Sequence, residues 1–365
     1  MSPHQAIAEP QPGEDNQLGD DHPGRARLEA LWRRGCDFLG VKYAILCGAM
    51  SWVSERHLVS ATSNAGGFGV IACGSMTPDL LSAEIAATAA MTDKPFGVNL
   101  ITMHPELEAL IDVCAEHKVG HVVLAGGLPP GWAIERIKAQ GARVMCFSPA
   151  LVLAKKFIRS GVDALIVEGA EAGGHIGPVA TAVLAQEILP EIDEVPVFIA
   201  GGIGRGEAMA MYLEMGAAGC QLGTRFVCAT ESIAHPNFKK AFIRAHARDA
   251  MPTVQVDPQF PVIPVRALGN KATKRFIETQ HEVVAKYKAG TLDMKAAQLE
   301  IEHFWAGALR RAVIDGDVEN GSLMAGQSVG MVRQEQSMAQ IIAELIDQAA
   351  RALNGGRASK GAGEP

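Results

Sequence analysis

The sequence predicts an α/β protein built as a TIM (β/α)8 barrel, with an additional mostly helical segment after the eighth strand. Three observations lead there. From residue 43 onward, short apolar runs recur eight times, segments of helical period separate them, and the runs are nearly continuous rather than alternating. A strand that is apolar on both faces belongs to a parallel sheet, covered on one side by helices and on the other by the barrel interior. The rival is a doubly wound open sheet. That fold normally uses fewer strands and carries G-x-G-x-x-G after the first, whereas here the first run leads into CGAMSWVS.

The predicted strands are YAILCGAM (43–50), FGVIA (68–72), PFGVNL (95–100), HVVLAG (121–126), RVMCF (143–147), DALIVEG (163–169), VPVFIAGG (195–202) and GCQLGTRF (219–226). Between them lie SERHLVSATSNAG, PDLLSAEIAATAAM, PELEALIDVCAEH, PGWAIERIKAQG, PALVLAKKFIRSG and RGEAMAMYLEMGA. Several of these start at Pro or Ser and stop at Gly, as helix ends prefer. Residues 230–320 are mostly helical in pattern but include the proline-rich PTVQVDPQFPVIPV, which reads as a helical lid over the barrel mouth. EQSMAQIIAELIDQAARAL then closes the barrel. The expected organisation is a disordered tail at 1–30, a barrel at 31–229 plus 321–354, the lid at 230–320, and a frayed tail at 355–365.

Composition removes whole function classes. The 365 residues carry 33 Lys+Arg against 40 Asp+Glu, a net charge of −7, and 48% are hydrophobic. A disordered chain has fewer apolar residues and a nucleic-acid-binding domain is usually basic, so neither is expected. The N-terminal residues show no basic segment leading into an apolar one, so no signal peptide is read. The uncharged stretch His57–Pro78 is broken by Asn64, Gly66, Gly67, Gly69 and Gly74, so no membrane span is read either. Seven scattered cysteines (Cys36, Cys47, Cys73, Cys114, Cys146, Cys220 and Cys228) form no C-x-x-C or Cys/His cluster. They read as reduced thiols of a cytoplasmic protein, with no metal site.

In such a barrel the working residues sit at the C-terminal strand ends. The seventh strand ends in AGGIGRG and the eighth in QLGTRF. Glycine lets backbone N–H groups approach a phosphate closely, and barrels commonly hold one between these two loops. Gly201, Gly202, Gly223 and Thr224 are the candidates; a role as plain tight turns is the competing reading. The sixth strand ends in EGAEAGGHIGP, where His175 stands between Gly174 and Gly177. Its ordinary pKa near ~6.5 suits proton transfer at neutral pH. Of the other histidines, His57 and His117 sit on predicted helices, His104 and His235 precede prolines, and His303 lies on an amphipathic helix beside Trp305. Asn99 closes the third strand, and its amide could read the edge of a heterocycle. Small residues after the first strand leave room for a planar ring.

These motifs carry a resemblance. GAMSWVSERHLVSATSNAGGFGVIA, DKPFGVNL, EGAEAGGHIG, AGGI, GTRF and GDVENGSLMAGQSVG together resemble the flavin-dependent nitronate monooxygenase (2-nitropropane dioxygenase) family, which includes the enoyl-acyl carrier protein reductase II enzymes. The resemblance spans about residues 40–350. It implies a TIM barrel holding FMN non-covalently, the ring against Gly48, Ala49 and Met50, with Asn99 and Glu168 near its polar edges. Gly173, Gly174, Gly202 and the run Gln221, Leu222, Gly223 and Thr224 would reach the ribityl chain and phosphate. His175 falls at the family's active-site histidine, and Gly326 with Gln327 would approach the flavin. The chain departs from the family in having Cys47 and Glu168 where many members have Gln.

Two activities follow from the resemblance. In the first, an alkyl nitronate passes one electron to FMN, and the flavin semiquinone reacts with O2 to give a carbonyl compound and nitrite. In the second, NAD(P)H reduces FMN, which delivers hydride to an enoyl thioester. The first is the expected function, with a small-molecule substrate and O2 as partners. A non-catalytic flavin-binding protein and a phosphometabolite isomerase or lyase are the other readings. Apolar residues of 230–320 without evident barrel partners leave a homo-oligomer open.

Overall fold

The structure, a computed structural model, describes residues 22–355. The tail segments 1–21 and 356–365 lie outside the described residues. Within 22–355 the expected tail boundary at residue 30 is corrected, because helix α1 (Pro23–Leu39) already begins at Pro23. Proline at the first helical position, the His22 ring accepting from the Gly24 amide, and Gly40 in the left-handed region explain both ends. Charged residues hide a buried stripe of Leu28, Trp32 and Leu39. Each large side chain so buried stabilises the fold by about 1.5–3 kcal/mol. Gly24 and Gly35 let α1 touch the backbone at Ala350 and Ala218, where a Cβ would collide.

The elements then follow as β1 (Ile45–Cys47), α2 (Arg56–Asn64), β2 (Gly69–Ala72), α3 (Pro78–Met91), β3 (Phe96–Ile101), α4 (Leu107–Glu116) and β4 (His121–Ala125). Next come α5 (Gly131–Ala139), β5 (Arg143–Phe147), α6 (Leu151–Arg159), β6 (Ala164–Glu168), β7 (Gly174–His175), α7 (Thr181–Ile188), β8 (Val197–Ala200), α8 (Gly206–Glu214) and β9 (Gly219–Leu222). The chain ends with α9 (Pro236–Arg244), β10 (Ala250–Pro252), β11 (Val265–Leu268), α10 (Lys271–Lys288), α11 (Met294–Val313) and α12 (Met338–Leu353).

Eight strands pair in parallel in the order β1-β9-β8-β6-β5-β4-β3-β2. A parallel bridge between Leu46 and Phe68 joins the two ends of that order, with the Cys47 amide donating to the Phe68 carbonyl at 2.9 Å. All eight coincide with the apolar runs of the sequence, and the chain is a TIM barrel of the α/β class. The strand interiors are uniformly buried, as parallel strands require.

The N-terminal end of the barrel is plugged. Phe38, near the end of α1, lies 5.3 Å from the His121 ring and 6.2 Å from Phe198, and its carbonyl accepts from His121 and Arg143. Burial holds the His121 imidazole below its ordinary pKa. Histidine at this end is structural, and chemistry in such a barrel belongs at the C-terminal strand ends. The last helix, α12, packs on α8, α1 and α2 and completes the outer layer.

Residues 230–320 are more than helical. Strands β10 and β11 form a small antiparallel sheet with β7, so the histidine loop belongs to the same sheet as the segment beyond the barrel. The α10–α11 pair has its own core, with Phe276 4.2 Å from Trp305 and Phe260 5.5 Å from Tyr287. Part of the apolar surface of 230–320 is thus buried within the segment itself, while Met251, Val254, Ile263 and Leu299 stay exposed. A buried guanidinium staples the layer down: Arg266 donates to Ala170 (2.9 Å) and Ala250 (2.6 Å).

Candidate active site at the barrel mouth

The loops after β8 and β9 are neighbours, since Ala200 is in register with Gln221. Gly201 and Gly202 have φ of +95° and +71°, where only glycine sits without strain. Among the described residues the backbone N–H groups of Gly201, Gly202, Gly223 and Thr224 donate to no protein acceptor. Thr224 is buried and the three glycines half-buried, and four such amides on adjacent strand ends form a donor set suited to an anion. The nearby Glu171 is spoken for: one carboxylate oxygen accepts from the Thr181 amide (2.8 Å) and hydroxyl (2.9 Å), fixing the start of α7. Leu222 takes a different part, its carbonyl accepting from the Gly48 amide at 2.8 Å while its side chain is buried.

Three polar side chains at strand ends are also short of partners. Asn99, 5% exposed, spends one N–H on the Val123 carbonyl (3.1 Å), and its oxygen has no partner among the described residues. Gln221, 7% exposed, makes no side-chain hydrogen bond among the described residues, and its amide lies against the place a Cβ of Gly48 would occupy. Glu168 likewise has no partner, and desolvation pushes its carboxyl up to about 8. Asn99 and Gln221 are buried and Glu168 is half-buried at the C-terminal strand ends, so the constellation fits a polar ligand seated among β3, β6 and β9.

The Glu168 carboxyl makes a pH prediction. Its folded-state value lies above its ordinary 4.5, so the folded chain holds a proton that the unfolded chain has already released between those two values. Stability therefore falls as pH rises from about 4.5 to about 8 and levels off above. Glu168→Gln removes that slope. The cofactor-free variant should melt above the wild type at pH 8 and converge with it near pH 4.5 in a thermal scan.

The turn after β1 is pinned by Ser54, whose hydroxyl donates to the Gly48 carbonyl (2.8 Å) and accepts from the Met50 amide (3.0 Å). Gly48 is buried and Ala49 and Met50 half-buried, and Met50 reaches Gly223 across the mouth. The late glycine motif crosses the β6 loop. The Gly326 amide donates to the Thr224 hydroxyl (2.9 Å), the Gln327 amide to the Glu171 carbonyl (2.9 Å), and a Cβ on Gly173 would sit 2.6 Å from the Gly326 nitrogen. Gly173 is therefore a backbone crossing, and Gly174 (φ +78°) turns the chain into β7.

His175 stands on β7, at the edge of the small sheet rather than on a barrel strand. Its side chain is 41% exposed and its Nε2 lies 3.2 Å from the carboxylate of Glu302 on α11. Nothing in the sequence marks Glu302 among the charged residues of that helix. The thiols are ruled out as nucleophiles by burial: Cys220 and Cys228 are each pushed up to about 12. Among the described residues there is no group of His, Cys, Asp or Glu able to hold a metal and no helix long and apolar enough to cross a membrane.

Residues 33–116 and 106–348 match the sequence model of the family described as nitronate monooxygenase. A dehydrogenase of Rhodococcus jostii, named for a hydroxy-methyl-oxo-octahydro-indene-carboxyl-CoA, is 30% identical over 339 residues, covering 87% of this chain and 96% of that protein. The structure of FabK from Thermotoga maritima superposes with a TM-score of 0.78 at 35% identity, covering 88% of this chain and 97% of the other. A nitroalkane oxidase from Streptomyces ansochromogenes gives a TM-score of 0.72 at 25% identity, covering 86% and 98%. With the barrel, the glycine loops and the histidine loop in the order that these matches span, the chain belongs to the nitronate monooxygenase family of oxidoreductases.

Proposed function

We propose that the barrel mouth binds FMN non-covalently and that the protein oxidises alkyl nitronates with O2. One observation carries the cofactor: among the described residues the amides of Gly201, Gly202, Gly223 and Thr224, which have no protein acceptor, lie at the same end of the barrel as the side chains of Glu168 and Gln221, which have no partner, and of Asn99, which has one. The amides would take the phosphate, the side chains the polar edges of a flat heterocycle, and the side-chain-poor Gly48–Ala49 backbone would support its ring. When bound, FMN supplies the electron acceptor for the substrate and the centre that meets O2.

The chain's own contribution is placement and proton handling. A carboxylate only accepts hydrogen bonds, so the Nε2 of His175 carries the proton toward Glu302 and Nδ1 keeps a lone pair. That nitrogen would take a proton from the substrate or, once charged, orient the nitronate anion. Gly174 and Gly177 leave the ring unobstructed by neighbouring side chains, and Glu168, neutral over much of the pH range, adds no negative charge beside an anionic substrate.

A second reading is favoured by the Thermotoga FabK and the Rhodococcus dehydrogenase, whose identities to this chain exceed that of the nitroalkane oxidase. In it the substrate is an acyl thioester and NAD(P)H the electron donor. Anaerobic mixing of the purified yellow protein with propyl nitronate, and separately with NADH, separates the two. Nitronate should change the visible flavin band within the turnover time. Rapid bleaching by NADH with no response to nitronate would replace the first reading by the second, and a colourless protein that refuses FMN would end both.

A further inference from the structure

We propose that Glu302 is a positioning residue for His175, so that the segment beyond the barrel, rather than the barrel itself, holds the active imidazole in place. The proposal rests on the reading of His175 as the group that handles the substrate's proton.

The backbone of His175 is not carried by the barrel. It lies in β7, whose partner is β11, with His175 opposite Val265 and the Ile176 amide donating to Pro264 at 2.9 Å. On the barrel side the connection runs through Gly173 and Gly174, which offer no side chains to restrain the ring. The imidazole itself meets Glu302, with Nε2 3.2 Å from each carboxylate oxygen.

Glu302 is well placed to act as an anchor. Its neighbours Ile301 and Trp305 are buried in the small α10–α11 core, so this turn of α11 is fixed from beneath. Nearby charges are engaged elsewhere: Glu300 with Lys286 at 2.6 Å, and Arg310 with Asp315 at 3.2 Å. No cation competes for Glu302 among the described residues. A half-exposed pair of this kind contributes little to stability. Its consequence is chemical: a carboxylate that fixes the Nε2–H aims Nδ1, the arrangement in which a base is oriented by a third group.

The test uses the FMN-loaded, full-length protein. A misplacement of about 1 Å can cost ~10²-fold in rate. Glu302→Ala should therefore lower kcat by about 10-fold with KM nearly unchanged, while Glu302→Gln, which keeps an acceptor, should stay within about threefold of wild type. In a His175→Asn background, Glu302→Ala should have no further effect, because a residue acting through another loses its role when that residue is gone. Without turnover, the His175 ring 1H–13C resonance, identified by its loss in His175→Asn, should move in Glu302→Ala. Wild-type kcat in Glu302→Ala, or an equal loss in both backgrounds, would overturn the proposal while leaving His175 in its role. Wild-type turnover in His175→Asn would instead remove His175 from the chemistry, and Glu302 with it.

Discussion

Replacing His175 by Asn should slow turnover by ~10²-fold or more while the protein purifies as yellow as the wild type. General acid–base catalysis by one side chain contributes typically 10²–10⁴-fold, and a loss of 10² corresponds to about 2.7 kcal/mol of transition-state stabilisation. Asparagine keeps a polar amide of similar reach but has no nitrogen that exchanges a proton near neutral pH. Folding should be undisturbed, because the side chain is 41% exposed and its pair with Glu302 is half-exposed. Flavin retention should also be undisturbed, since the His175 side chain is not among the groups assigned to FMN. Steady-state kinetics with propyl nitronate, read beside the visible flavin band and a thermal scan, separates the effects. Unchanged kcat/KM would take the imidazole out of the mechanism.

What could be read from the sequence follows what kind of signal each feature leaves. The eight barrel strands were legible because burial on both faces forces continuous apolar runs such as ALIVE at 164–168 and VFIA at 197–200. α1 was not, because its buried stripe of Leu28, Trp32 and Leu39 is diluted by four arginines and two acids on the solvent face. β10 and β11 escaped for a different reason: Pro252 ends the first and Pro264 precedes the second, and the pairing of β11 with Gly174 and His175 is a contact between residues about ninety apart. At the site, glycine pairs announced loops that could bind phosphate, but the lack of any acceptor for their amides is a property of the folded backbone. Glu168 and Glu302 show the same limit. Each is one carboxylate among 40 acidic residues until the fold leaves the first half-buried and desolvated at a strand end and sets the second against an imidazole.

The largest loss of cofactor is expected from Gly202→Val. Gly202 has φ +71°, and a left-handed backbone costs a branched L-residue about 1–2 kcal/mol or more. A Cβ there would also meet the Glu171 Cβ at 3.0 Å, and Glu171 cannot retreat without giving up its two hydrogen bonds to Thr181. The loop should therefore relax out of the left-handed region, turning the Gly201 and Gly202 amides away from the phosphate they are assigned to hold. Fluorescence titration of FMN into the cofactor-free variant should show a Kd weakened at least ~10²-fold, about 2.7 kcal/mol. Backbone strain alone must be distinguished from loss of the amides. Gly216 supplies the control, because it too is left-handed (φ +105°) but has open space around it at the end of α8. Gly216→Val should lose a similar amount of thermal stability and yet bind FMN as the wild type does. If both variants hold the cofactor equally well, the glycine amides of the β8 loop do not grip its phosphate, and the site must be sought elsewhere on the mouth.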